Sequence, residues 1–98
     1  MSLALDADQF RIVEEVLSAH LPPGFSVWAF GSRAIGRPKP YSDLDLAIKG
    51  DEPLTLSQIA DLKDAFSESD LPFKVDVVDW RSASAHMQAV IDRDGVAL

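Results

Sequence analysis

Apolar side chains recur along this chain in two rhythms, and the change from one to the other marks its elements. Over residues 7–20, Phe10, Val13, Val16 and Leu17 fall three or four apart, with Arg11, Glu14 and Glu15 between them. That spacing predicts an amphipathic helix, with Asp6 or Asp8 as its cap. Leu21, Pro22, Pro23 and Gly24 end it, because proline cannot continue the helical hydrogen bonding. Residues 25–30 (Phe-Ser-Val-Trp-Ala-Phe) then read as a mostly buried strand that stops at Gly31. Gly36, Pro38 and Pro40 leave room for only a turn or two of helix before the next strand. In that strand, residues 42–49, Asp43 and Asp45 alternate with Leu44, Leu46 and Ile48. A period of two places the carboxylates on one face and the apolar residues on the other.

Residues 50–53 form a turn, and Thr55 or Ser57 can cap a helix running to about residue 68. Its stripe is Leu56, Ile59, Leu62 and Phe66, edged by the stem of Lys63. Leu71 and Pro72 break it. Residues 73–80 predict a third strand, with Phe73, Val75 and Val77 on one face and Asp76, Val78 and Trp80 on the other. A last helix is expected over 84–92, closed near Gly95, with an apolar end at residues 96–98. The expected architecture is one α/β (α+β) domain over residues 1–98, a small mixed sheet with helices packed on one face and the carboxylates on the other. No internal repeat or low-complexity segment interrupts it.

Composition narrows the function classes. The chain has 98 residues, 47% apolar and 26% charged, which is ordinary globular usage. A domain of this size buries only about 60 to 65% of its unfolded surface, and no cysteine is available for a disulfide or a thiolate metal site. Oligomerisation or a partner protein is therefore plausible on size alone, though not required. No apolar run approaches the roughly 18 to 20 residues that span a bilayer, and the start lacks the cationic and apolar regions of a signal peptide. A cytoplasmic protein without a membrane role is the expectation. Nine basic residues against sixteen acidic ones give a net charge of −7, which disfavours broad nucleic-acid binding, since that needs cations to neutralise phosphates.

The candidate chemistry lies where aspartates interrupt apolar strands. An aspartate works against strand propensity and is costly if buried without a partner. Asp43 and Asp45 share a face, and Asp76 lies in a strand that could pair beside theirs. Two readings of the alternation stand side by side. Polar residues on one sheet face can simply meet water, or three clustered carboxylates can hold a hard divalent cation, Mg²⁺ above all. Gly31 and Ser32, at the end of a strand, could present backbone N–H groups and a hydroxyl to a phosphate. Between Gly31 and Ser42 there is no acidic residue, but there are Arg33, Arg37 and Lys39. This local positive stretch adjoins the carboxylate pair and tilts the reading toward a phosphate and its metal in adjoining sites.

Gly31-Ser32, ten intervening residues, Asp43-Leu44-Asp45, and a later strand aspartate in Val75-Asp76-Val77-Val78 resemble the nucleotidyltransferase superfamily typified by the DNA polymerase beta palm. More closely, the chain looks like the minimal nucleotidyltransferase (MNT) proteins encoded beside HEPN-domain proteins. The resemblance runs from the first helix to Gly95-Val96 and implies the polymerase beta palm-like fold. It further implies that Asp43, Asp45 and Asp76 are the catalytic residues and ligands of a two-metal Mg²⁺ site, with Asp76 serving or orienting the base. Gly31 and Ser32 would hold the β- and γ-phosphates of a nucleoside triphosphate, ATP by resemblance. Arg33, which follows them, would contact phosphate or form a structural ion pair. The implied activity is transfer of AMP from ATP to a hydroxyl, with a HEPN-domain toxin as acceptor and this chain as antitoxin.

Other readings rank lower on the residues. Asp79 falls three residues after Asp76 and so faces the opposite side of a regular strand; Asp76, flanked by valines, is preferred. Ala47 and a misplaced Gly50 rule out an EF-hand loop, and His20 and His86 lack spaced partners for zinc. Asp61 and Lys63 read as surface charge on a helix, and no glycine-lysine loop of the Walker type is present. Trp28 and Trp80 read as core or interface. A binding module that neutralises its partner by contact alone, and a transferase acting on a small molecule, remain the alternatives in function.

Overall fold

The computed structural model describes residues 3–36 and 42–98; the expected basic residues Arg37 and Lys39 lie outside them. The first helix, α1 (Ala7–His20), starts on Asp6, whose carboxylate accepts from the Gln9 N–H at 2.8 Å while the Gln9 side chain accepts from the Asp6 N–H. This reciprocal cap satisfies two of the helix's orphan donors. After Gly24, β1 (Ser26–Phe30) pairs antiparallel with β2 (Leu44–Lys49). The second helix, α2 (Leu56–Ser67), begins on Thr55 with the same kind of box, completed by Gln58. It carries the chain back across the sheet so that β3 (Val75–Asp79) lies parallel to β2, a connection that a hairpin could not make.

A single 3-10 turn, Trp80–Ser82, leads to α3 (Ala85–Asp94), capped by Ser84 and closed at Gly95 as expected. The chain ends in β4 (Val96–Ala97), which pairs antiparallel with β1. The sheet order is β3-β2-β1-β4, mixed as the sequence predicts. The two residues of β4 are too few for any periodicity to announce them.

The two faces of the sheet are covered differently. On one, Val27, Ala29, Leu44, Leu46, Ile48, Val75 and Val77 pack against Val13 and Leu17 of α1 and Leu62 and Phe66 of α2. On the other, Phe30 and Ala47 pack with Ile91 of α3, joined by Trp28, Val78, Trp80, Met87 and Val90. The expectation that helices occupy only one face is corrected here for α3, which lies on the carboxylate side. The reason is in the register. Phe30, Asp45 and Asp76 form one row across the sheet, and the next row is Trp28, Ala47 and Val78. Only the first row is acidic, and the apolar row behind it needs a cover. Among the described residues no helix is long and apolar enough to cross a membrane.

Candidate active site

Parallel pairing of β2 with β3 sets Asp45 directly opposite Asp76, so their backbones stand about 4.8 Å apart, the ordinary spacing of neighbouring strands. Asp43 precedes β2 on the same side and is exposed, while Asp45 and Asp76 are half-buried. Burial raises the Asp45 carboxyl above its ordinary pKa, and the charges of Asp76 and Asp43 add to that shift. The three carboxylates named from the sequence are thus close enough to repel. Among the described residues, no three acidic or imidazole side chains are gathered as a group that could hold a metal ion. Mg²⁺ is ordinarily bound by one or two carboxylates completed by water and substrate phosphate, and the facing pair Asp45 and Asp76 is a donor set of that kind.

Gly31 stands on the other side of Asp45. The turn over residues 31–36 leaves β1 through Gly31 at φ +79°, and the Gly31 carbonyl accepts from the N–H groups of Ala34 at 3.0 Å and Ile35 at 3.2 Å. A Cβ here would press on the Asp45 carboxylate and displace it, and the left-handed backbone favours glycine in its own right. Ser32 follows, half-buried in the same turn. The resulting order across the sheet is turn, Asp45, Asp76.

Arg33, for which the sequence leaves a phosphate contact and a structural ion pair both open, is held within the framework. Only 6% exposed, its guanidinium donates to the Ser42 carbonyl at 2.8 Å and the Ala4 carbonyl at 3.0 Å, and lies 3.9 Å from the centre of the Phe73 ring. The Arg33 carbonyl in turn accepts from the Ala4 N–H. The side chain therefore ties the turn to the residue before Asp43 and to the N-terminal segment. A planar fork of donors suits this clamp better than an ammonium would.

Asp79 is turned into the protein, as its register predicts. Its carboxylate accepts from the Arg81 N–H at 3.3 Å and the Ser82 hydroxyl at 2.9 Å, and so caps the 3-10 turn. Lys63, read from the sequence as surface charge, reaches around the free edge of β3 to bring Nζ within 3.8 Å of an Asp76 oxygen. The signal for it was its place at the margin of an apolar helical stripe, where a long stem can lie along the sheet and set its charge down beyond it.

The family model for the polymerase beta nucleotidyltransferase domain matches residues 13–98. This chain is a member of that family. Over 89 residues, 91% of the chain and 77% of the relative, it is 47% identical to the Haemophilus influenzae protein named "Probable protein adenylyltransferase MntA". A toxin–antitoxin complex solved with AMP-PNP superposes with a TM-score of 0.77 at 26% identity, over 89% of this chain and 69% of that one. A candidate minimal nucleotidyltransferase of nearly the same length superposes at 0.73 with 34% identity, over 96% of this chain and 97% of the other. The fold and the minimal-nucleotidyltransferase resemblance read from Gly31, Ser32 and the aspartates are those of these relatives, and the chain is a nucleotidyltransferase.

Proposed function

We propose that this nucleotidyltransferase moves AMP from ATP to a hydroxyl of a HEPN-domain toxin partner in the cytoplasm, acting as its antitoxin. The observation that carries the reading is the row formed by the Gly31 turn, Asp45 and Asp76, with the Asp45 carboxyl raised by burial and then by its acidic neighbours. The adenylyltransferase relative supports the transferred group, and the AMP-PNP toxin–antitoxin complex supports both a triphosphate and a protein partner.

Asp43, Asp45 and Asp76 would hold Mg²⁺, which when bound neutralises charge on the reacting phosphates and fixes them in place. The Gly31 and Ser32 turn receives the β- and γ-phosphates through its N–H groups and hydroxyl. The acceptor oxygen then forms a bond to the α-phosphorus as the bond from that phosphorus to the β-phosphate oxygen breaks, and pyrophosphate leaves on the Gly31 side. The proton of the acceptor hydroxyl passes to the Asp76 carboxylate. Asp45 separates acceptor from leaving group, and Arg33 keeps the turn and Asp43 at a constant spacing. Catalysis rests on positioning and charge, as phosphoryl chemistry generally does.

Incubation with Mg²⁺, ATP and the HEPN-domain protein of the neighbouring gene, followed by intact mass spectrometry, tests the reading. One or more AMP units on the partner, lost with Asp43→Asn and with Asp76→Asn, is the expected result. Absence of transfer from any nucleoside triphosphate, with tight partner binding and neutralisation retained, would replace it with contact-only inhibition.

A further inference from the structure

An in-line displacement brings its attacking oxygen from the side opposite the leaving group. With pyrophosphate leaving toward Gly31, the acceptor must arrive beyond Asp76, where the sheet ends. β3 is an edge strand there. The Leu44 N–H donates to the Lys74 carbonyl at 2.9 Å, and by the alternation of a parallel ladder the N–H and C=O groups of Val75 and Val77 then face away from β2, toward the free edge. Beside that edge a groove of about 480 Å³ runs between α2 and β3, lined among others by Lys63, Ser67, Phe73, Lys74, Val75 and Asp76. The groove and the carboxylate row share Asp76.

We infer that this edge and groove are the docking track for an extended peptide segment of the acceptor protein, which adds as a strand to β3 and thereby delivers its hydroxyl to Asp76. The inference rests on the transferase reading for its direction of approach. A row of outward N–H and C=O groups is matched most fully by another extended backbone. The groove floor is apolar at Phe73 and Val75, which suits alternate side chains of a strand. The groove is lined by two cations, Lys63 and Lys74, and two carboxylates, Asp64 and Asp76, so its charges balance and the track takes its segment through backbone and apolar contacts. Lys63, already drawn to Asp76, marks where the reacting end of that segment lies.

Hydrogen–deuterium exchange and labelling, both with the HEPN-domain protein of the neighbouring gene as probe, test the inference separately from the transferase reading. On adding the probe to the wild-type chain, exchange at the Val75 and Val77 amides is expected to slow by at least about tenfold. Ser67→Trp, which fills the groove from the exposed end of α2, is expected to lower acceptor kcat/KM by at least about tenfold with the KM for ATP unchanged. Ala60→Trp, exposed on the same helix outside the groove lining, controls for the added bulk and should change neither. Equal labelling by Ser67→Trp with unchanged exchange overturns the docking track while leaving the transferase reading intact. Protection of these amides without any transfer upholds docking and overturns the transferase reading; loss of both results overturns both. If the chain alone sediments as a dimer with Val75 and Val77 already protected, the edge belongs to a second copy and the inference falls.

Discussion

Asp76 and Asp79 stand three residues apart on one five-residue strand and have opposite lots. Asp79, 5% exposed, accepts from a backbone N–H and a hydroxyl that it holds in a turn. Asp76 keeps a half-exposed side chain, faces a like charge across the ladder, and has a lysine at 3.8 Å. The same division separates the cations and carboxylates around the site. Arg33 places two of its donors on backbone carbonyls, whereas Asp45 carries burial and two acidic neighbours. Charged groups whose partners are built into the fold hold the framework, and those left short of partners are where a ligand completes the balance.

Exchanging the two aspartates for neutral residues is the sharpest way to break this contrast. Asp76→Asn should cut AMP transfer by about 10² to 10⁴-fold, the range of a lost general base, with a urea midpoint near wild type. Asp79→Ala should leave turnover per folded molecule intact but cost about 1 to 3 kcal/mol, because the Arg81 N–H and Ser82 hydroxyl lose their acceptor. An equal activity loss in both variants, measured at matched folded fractions, would erase the distinction. Gly31→Ala presses on the partner-poor side from the opposite direction. The left-handed backbone alone should cost about 1 to 2 kcal/mol, and the added methyl displaces Asp45, so ATP binding by calorimetry should weaken as well.

Arg33→Lys sharpens the framework side. A point charge cannot serve two carbonyls and stack on Phe73 as the planar fork does, and a loss of about 1 to 2 kcal/mol is expected. Its thermal unfolding should shift without nucleotide present; an unchanged melting temperature with a raised KM for ATP would instead put the guanidinium on the phosphates. The smallest expected effect is a gain. Since folding raises the Asp45 pKa, the charged form favours the unfolded chain. Stability from this group is present below the ordinary carboxylate value of 3.8 and is lost as pH rises through the raised one. Asp45→Asn should therefore melt slightly higher than wild type at neutral pH in EDTA, with a flatter acid-side profile. Scanning calorimetry across pH 3 to 8, a range chosen to bracket carboxylate titration, would reveal a lower melting temperature if the carboxylate were stabilising.

Much of this was legible in advance because periodicity and punctuation speak for long elements. Phe10, Val13 and Leu17 gave away α1, and the alternation of Leu44, Leu46 and Ile48 assigned β2 and the side of its aspartates. What escaped was set by tertiary placement. Nothing local says that α3 crosses to the carboxylate face, although Trp28, Ala47 and Val78 behind the acidic row demanded a cover. For Arg33 the sequence leaves phosphate contact and a structural ion pair open, and its bonds to carbonyls and its burial against Phe73 come only from tertiary placement. Lys63 belonged to a helix whose axis relative to β3 no single stretch of sequence specifies.

Asp45 and Asp76 face one another across a parallel pair, and the whole of α2 must be crossed over before β3 can find β2. Non-local pairing of this kind waits on the closure of a long loop. The repulsion between Asp45 and Asp76 thus arises only once that crossover has closed, whereas Asp43 and Asp45 are neighbours along one strand from the start. A chain halted before that step carries both halves of the carboxylate row without having assembled the site, so catalytic competence itself reports that the β2–β3 crossover has closed.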